Sequence, residues 1–212
     1  MPDSSGTIEE FVDHVRNACW TEAVSLAQSG GIPCCSHVAG EPIHAWIVDV
    51  DAPPRVVAAL VMSCLQPYDI LCQPADVAAM CMDRWLTHAN AAGSFVALLA
   101  AGADANGVVG GGSRLLQYAI SRDRPEAARA LLRYGADPFA LGVHGRESTS
   151  AVDDSLVARN SAAEVVIRGV NEDRLREHVR NSPLSNPDPE HPGTTLWEAR
   201  GWVQSVSAAR PK

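Results

Sequence analysis

The residues best suited to chemistry are six cysteines, seven histidines and a few closely spaced carboxylates. The densest group is Cys34-Cys35-Ser36-His37, in a loop bounded by glycines. Adjacent cysteines cannot easily both ligate one zinc, and no second ligand pair lies close in sequence. The loop therefore reads as structural, and no metal is expected. Asp49 and Asp51 have the spacing of paired carboxylates, but Asp49-Val50-Asp51-Ala52-Pro53-Pro54 is better explained as a turn between two helices. The run Gly107-Val108-Val109-Gly110-Gly111-Gly112-Ser113 is glycine-rich, yet it lacks the Lys-Ser/Thr that completes a phosphate loop. Lys212 is the only lysine, so no internal Schiff-base or phosphate-binding lysine exists. Neither a G-x-S-x-G elbow nor an H-E-x-x-H pair occurs. The cysteines read as core fillers rather than nucleophiles. The sequence thus predicts no catalytic residue, no cofactor and no enzyme.

The elements that must position these residues come from an ordinary globular composition. Of 212 residues, 46% are apolar and 20% charged, which suits one domain with a sizeable core. No apolar run approaches the ~20 residues that span a bilayer. Residues 1–15 are polar and acidic rather than signal-like, so a cytoplasmic protein with reduced thiols is expected. Sixteen of the seventeen basic residues are arginine, which hints at a GC-rich coding sequence and a bacterial source. The net charge of −8 is uneven. Residues 1–53 hold eight acids against Arg16 alone, whereas residues 54–137 hold seven of each sign. Such an end disfavours nucleic acid and anionic lipid. It serves solubility, or it meets a basic protein partner; both readings stay open here.

Two copies of one short sentence organise the chain. Leu98-Leu99-Ala100-Ala101-Gly102-Ala103-Asp104 returns, 33 residues later, as Leu131-Leu132-Arg133-Tyr134-Gly135-Ala136-Asp137. Each copy is followed, ten residues after its glycine, by Gly112 or Gly145. A fixed period of this length signals stacked units that bury their apolar faces against their neighbours. Paired leucines point into the core, and a glycine with positive φ ends the helix. The aspartate bonds nearby backbone N–H groups and braces the turn. Gly112-Ser113-Arg114-Leu115-Leu116-Gln117-Tyr118-Ala119 resembles the ankyrin repeat's opening G-x-T-P-L-H-x-A, with Gly112, Leu116 and Ala119 in place. It lacks the Thr-Pro and the His. Glu126, Leu131 and Leu132 fit the family's second helix.

The resemblance implies an all-α, ankyrin-type helical solenoid of about five or six helix pairs, with irregular hairpin loops and capping ends. It is read as one domain over 1–212: a divergent N-terminal repeat or cap at 7–40, divergent repeats at 40–93, the best-formed repeats at 94–145, and a divergent repeat with a C-terminal cap at 146–204. Thr7-Ile8-Glu9-Glu10 reads as a capping box opening the first helix. His44 falls at the family's hydrogen-bonding histidine. One long helix is expected over Ala75–Ala91, then another over Ser94–Ala101. An insertion is expected at 153–161, because Glu164-Val165-Val166-Ile167 arrives about five residues late. Asn171–Arg180 reads as a charged helix with Leu175 and Val179 inward. Ser182–Pro192 is a proline-rich loop, and Gly193-Thr194-Thr195-Leu196-Trp197 opens a final half-repeat.

In that family the scaffold residues leave the exposed ones free, so the resemblance implies a protein-binding module. It places partner contacts at the hairpin tips and the concave face: Gly110, Gly111 and Ser113; Ser121, Arg122 and Tyr134; Val143, His144 and Arg146. Tyr and Arg are the residue types that most often dominate interface energy. The first expectation is an inhibitor or immunity-type protein that neutralises a cognate toxin or enzyme, its acidic end masking a basic cleft. The alternatives are a bacterial effector or adaptor engaging host proteins, and an enzyme whose site lies in the irregular stretches 31–40 or 147–192.

Overall fold

A computed structural model describes residues 4–30, 32–33, 36–63, 73–142 and 149–181. Cys34, Cys35, Val143, His144, Gly145, Arg146, the loop 182–192 and the half-repeat from Gly193 lie outside the described residues. Among the described residues there are eleven helices: α1 Ser4–Arg16, α2 Trp20–Gln28, α3 Ile43–Asp49, α4 Pro54–Ser63, α5 Pro74–Asp83, α6 Ala91–Ala100, α7 Leu115–Ser121, α8 Pro125–Arg133, α9 Ala151–Ala158, α10 Ser161–Gly169 and α11 Glu172–Asn181. The short strands β1 (His37–Val38) and β2 (Glu41–Pro42) pair antiparallel, with Val38 opposite Glu41. Ala39 and Gly40 link them, both at positive φ, as a tight primed hairpin turn requires. The chain divides into two compact units, Met1–Gly110 and Gly111–Lys212, parted inside the glycine run.

Within the first unit, α1 packs on α2, α3 on α4 and α5 on α6. Neighbouring pairs also meet: α2 against α4, α4 against α6, and α3 against α5. Phe11, Ile43, Ile47, Leu60, Phe95 and Leu98 are among its fully buried side chains. Gly93 permits the close approach of α6 to α4, because a Cβ there would lie 2.7 Å from the Pro54 ring. The second unit repeats the scheme. α7 packs on α8 and α9 on α10, while α8 meets α10 and α7 meets α9. Leu115, Leu116, Ile120, Leu131 and Ile167 form its core.

The repeated sentence folds identically in both copies. Gly102 (φ +102°) donates its N–H to the Leu99 carbonyl at 3.1 Å, and Ala103 to Leu98 at 3.0 Å. Gly135 (φ +89°) donates to Leu132 at 3.2 Å, and Ala136 to Leu131 at 2.9 Å. This paired closure satisfies helix-end carbonyls that would otherwise lack partners. The Asp104 carboxylate then accepts the Asn106 N–H at 2.8 Å, and Asp137 that of Phe139 at 3.1 Å. The same closure ends α3 and α7 without glycine. Asp51 (φ +54°) bonds to Val48, and Asp123 (φ +48°) to Ile120. Aspartate tolerates this conformation better than most residues.

Three expectations are corrected. α1 begins at Ser4, so Thr7 lies inside the helix rather than capping it. The expected helix Ala75–Ala91 is α5, ending at Asp83, plus a turn whose two ends are bonded to Asp49 at the end of α3 and to Asp51 just beyond it. The expected insertion at 153–161 holds α9 and the start of α10. Leu115 and Ala151 open α7 and α9 at a spacing of 36, as do Pro125 and Ser161 for α8 and α10. The additional residues beyond the period of 33 therefore precede Ser150, in the loop after Asp137.

Candidate functional site

The residues expected to meet a partner fall in different places. In the first unit, Gly110 is exposed and donates its N–H to the Asp76 carboxylate at 2.7 Å. In the second unit, Gly111 is exposed and Ser113 half-buried just before α7. Ser121 and Arg122 end α7. The Ser121 hydroxyl donates to the Tyr118 carbonyl at 2.8 Å. The Arg122 guanidinium lies 4.9 Å from the Tyr118 ring centre and donates to its hydroxyl at 2.9 Å. Stacking removes rotamer freedom from the arginine and holds its charge at the surface. Tyr134 follows α8 and is 41% exposed. The turn Arg122–Arg124 folds α8 back along α7, so Tyr134 and Ser113 stand at one end of the pair and Ser121 and Arg122 at the other. The structure keeps Ser121, Arg122 and Tyr118 together; it does not bring Tyr134 to them.

A second group of polar residues holds successive helix pairs in place. In the first unit Asn90, just before α6, donates its N–H to the Asp51 carboxylate at 2.9 Å and its side-chain amide to the Asp51 carbonyl at 2.7 Å. In the second unit the Ala162 N–H reaches the Asp123 carboxylate at 3.0 Å. Asn160 donates to the Ile120 carbonyl at 2.6 Å while capping α10 through the Ala163 N–H. Gln117 stands where the ankyrin-like opening would have its histidine. Its amide donates to the Thr149 carbonyl and the Asp154 carboxylate, each at 3.0 Å. Of these joining residues Gln117 is buried, Asp51, Asn90 and Asn160 are half-buried and Asp123 is exposed; Arg122 is exposed and Tyr118 half-buried. His44 is buried.

Ser150, Asp153 and His178 form a constellation that sequence reading missed. His178 Nε2 lies 2.9 Å from Asp153 Oδ1 and 3.4 Å from Ser150 Oγ. A proton relay needs the two ring nitrogens on different partners and a hydroxyl open to substrate. Here one nitrogen faces both residues and Ser150 is fully buried. The Ser150 hydroxyl donates to Asp153 Oδ2 at 2.6 Å, and the Asp153 N–H donates to Ser150 Oγ at 3.2 Å. That is a capping box opening α9, clamped from α11 by His178. Burial alone would raise the Asp153 carboxyl, but the bonds from Ser150 and His178 outweigh it and hold it below the usual range. Ser150-x-x-Asp153 was legible as a cap; its partner 25 residues later was not. The Asp153–Ser150–His178 group therefore anchors α11 and is no nucleophile.

No family model, curated protein or solved structure matches the chain.

Among the described residues, no group of three or more His, Cys, Asp and Glu side chains is placed to hold a metal ion. Cys81 is buried, and its burial pushes the thiol up to about 12, against a smaller opposing pull from Arg84. It stays protonated and fills the core. No described helix is long and apolar enough to cross a membrane. The first unit carries twelve acids against three arginines, whereas the second holds thirteen acids and fourteen bases. A groove between α1 and α2 is lined by Glu10, His14, Thr21, Glu22, Ser25 and Leu26, among others.

Proposed function

We propose that the chain is a non-enzymatic protein-binding module built from ankyrin-type helix pairs, and that it acts as an inhibitor or immunity-type protein for a partner with a basic surface. The observation that carries the module reading is the recurrence of one unit. Paired helices lean on the next pair in both compact units. The same glycine closure ends α6 and α8. Polar side chains join successive pairs, through Asp51–Asn90, Asp123–Ala162 and Gln117–Thr149. At the surface of the second unit, Arg122 and Tyr134 are exposed and Tyr118 is half-buried beneath Arg122, and Tyr and Arg are the residue types that anchor interfaces. The acid surplus of residues 1–110 supports a basic partner, since complementary fields speed encounter and exclude like-charged surfaces.

The test is recovery of the tagged full chain from cells of its own source at low salt. The expected result is one basic protein in stoichiometric amount whose own activity is silenced in the complex. Recovery of the chain alone, or of a partner that stays fully active, overturns the inhibitor reading.

A further inference from the structure

The turn joining α5 to α6 is unlike the others. The links within pairs α1–α2, α3–α4, α7–α8 and α9–α10 take two to four residues; this one takes seven, Arg84–Asn90. Its length is not slack. At one foot the Arg84 guanidinium is bonded to the Asp49 carboxylate. At the other, Asn90 holds Asp51 by the two bonds described above. Inside the turn, the Thr87 and His88 N–H groups both donate to the Arg84 carbonyl, at 2.9 and 3.0 Å. The Trp85 ring sits edge-on to Phe95, 5.6 Å between centres.

This scaffold lifts one apolar side chain into water. Leu86 is 78% exposed, and Val50, on the preceding turn between Asp49 and Asp51, is 42% exposed. A single exposed aliphatic residue is commonplace. A leucine on a pinned seven-residue turn, bonded to the turn that carries a second exposed aliphatic, is a preorganised anchor, because little loop freedom is left to lose on binding. The surrounding charge selects its partner. Asp49 and Asp83 end α3 and α5, and Asp51 lies on the turn between α3 and α4; the cations along these stretches are Arg84, paired with Asp49, and Arg55 in the first turn of α4, so the acids outnumber the bases three to two. Arg84 is raised further above its ordinary range by the bond to Asp49 and by the Asp49 and Asp83 charges. The face is apolar at its crest and negative at its rim.

We propose that Leu86 and Val50 anchor a docking surface for a basic protein segment in which Lys or Arg flanks an apolar residue. This inference rests on the protein-binding reading above and locates its charge-selective contact. A negative rim repels anionic lipid and nucleic acid, which leaves a cationic polypeptide as the occupant. The probe is a random peptide library displayed on phage and selected on the immobilised full chain. Enriched peptides are expected to carry Arg or Lys around an apolar residue. Their affinity should fall about tenfold or more for Leu86→Ser and Val50→Ser, and fall with added salt. Both positions are exposed, so circular dichroism should show both variants folded. Enrichment of acidic or uncharged peptides, or basic peptides indifferent to Leu86→Ser, overturns the proposal. Peptides lost on Arg122→Glu instead would overturn it while sustaining the protein-binding reading. No enrichment at all counts against both.

Discussion

Asp153 and Asp154 are adjacent on α9 and differ in electrostatic fate. Asp153 is held below the ordinary carboxyl range, since the Ser150 and His178 bonds exceed its burial penalty. Its stabilisation is therefore full above the unfolded carboxyl value and is lost as pH falls through the lowered folded value. Asp154 is raised, chiefly by burial and further by the Asp153 charge, against bonds from Thr149 and Gln117. Its folded state prefers the proton, so the charged form opposes folding at neutral pH. Asp154→Asn should raise the urea midpoint at pH 7, with the gain vanishing below about pH 4; an equal gain at both pH values would contradict this. Gly102→Ala and Gly135→Ala should each cost about 1–2 kcal/mol in urea denaturation, from backbone strain alone, since no atom crowds the added Cβ. These glycines and the aspartates two residues on were legible because a positive-φ helix end and a side-chain-braced turn leave a local signature. Asp51 and Asp123 adopt the same helix-end conformation, yet were not legible as such. An aspartate in a turn has many local uses, and its reach to Asn90 or Ala162 spans 39 residues.

At the scale of elements, α11 depends on few contacts. Leu175 is its buried apolar anchor among the described residues. His178 clamps Asp153 and lies edge-on to Phe139, over which Arg174 also stacks at 4.4 Å. His178→Ala should speed amide hydrogen exchange across α11 while leaving α7 and α8 protected. Leu175→Ala should cost about 2–5 kcal/mol of stability in the same unit. Exchange unchanged in His178→Ala would show that the clamp holds nothing. The charged helix with Leu175 inward was readable from its spacing. The division of 75–91 into helix and turn was not, because Val77, Cys81 and Trp85 keep helical spacing past Asp83. The turn that follows α5 is held instead by Asp49 on Arg84 and Asp51 on Asn90, carboxylates more than thirty residues away. Asp51→Ala should therefore loosen the turn Arg84–Asn90, seen as faster exchange at Thr87 and His88 and a red shift of Trp85 fluorescence.

Over the whole molecule, charge and the expected contact residues are divided between the two units. The acid surplus sits in residues 1–110, and the Tyr118–Arg122 stack sits in the second unit. The helical class was legible because a 33-residue recurrence of a helix-ending pattern is a global signal. The partner was not, because exposed residues obey no such period. Of the expected contact residues, Arg122 and Ser121 share one end of α7, while Val143, His144 and Arg146 lie outside the described residues. Titration calorimetry of the co-purified partner against the full chain tests the central claim most directly, comparing the natural sequence with Arg122→Glu and Tyr134→Ala. Binding through the Arg122 end of α7 predicts an affinity about tenfold or more weaker for Arg122→Glu, and binding through the opposite end of the pair predicts the same for Tyr134→Ala, with the fold unchanged. Equal affinity for all three proteins would contradict it.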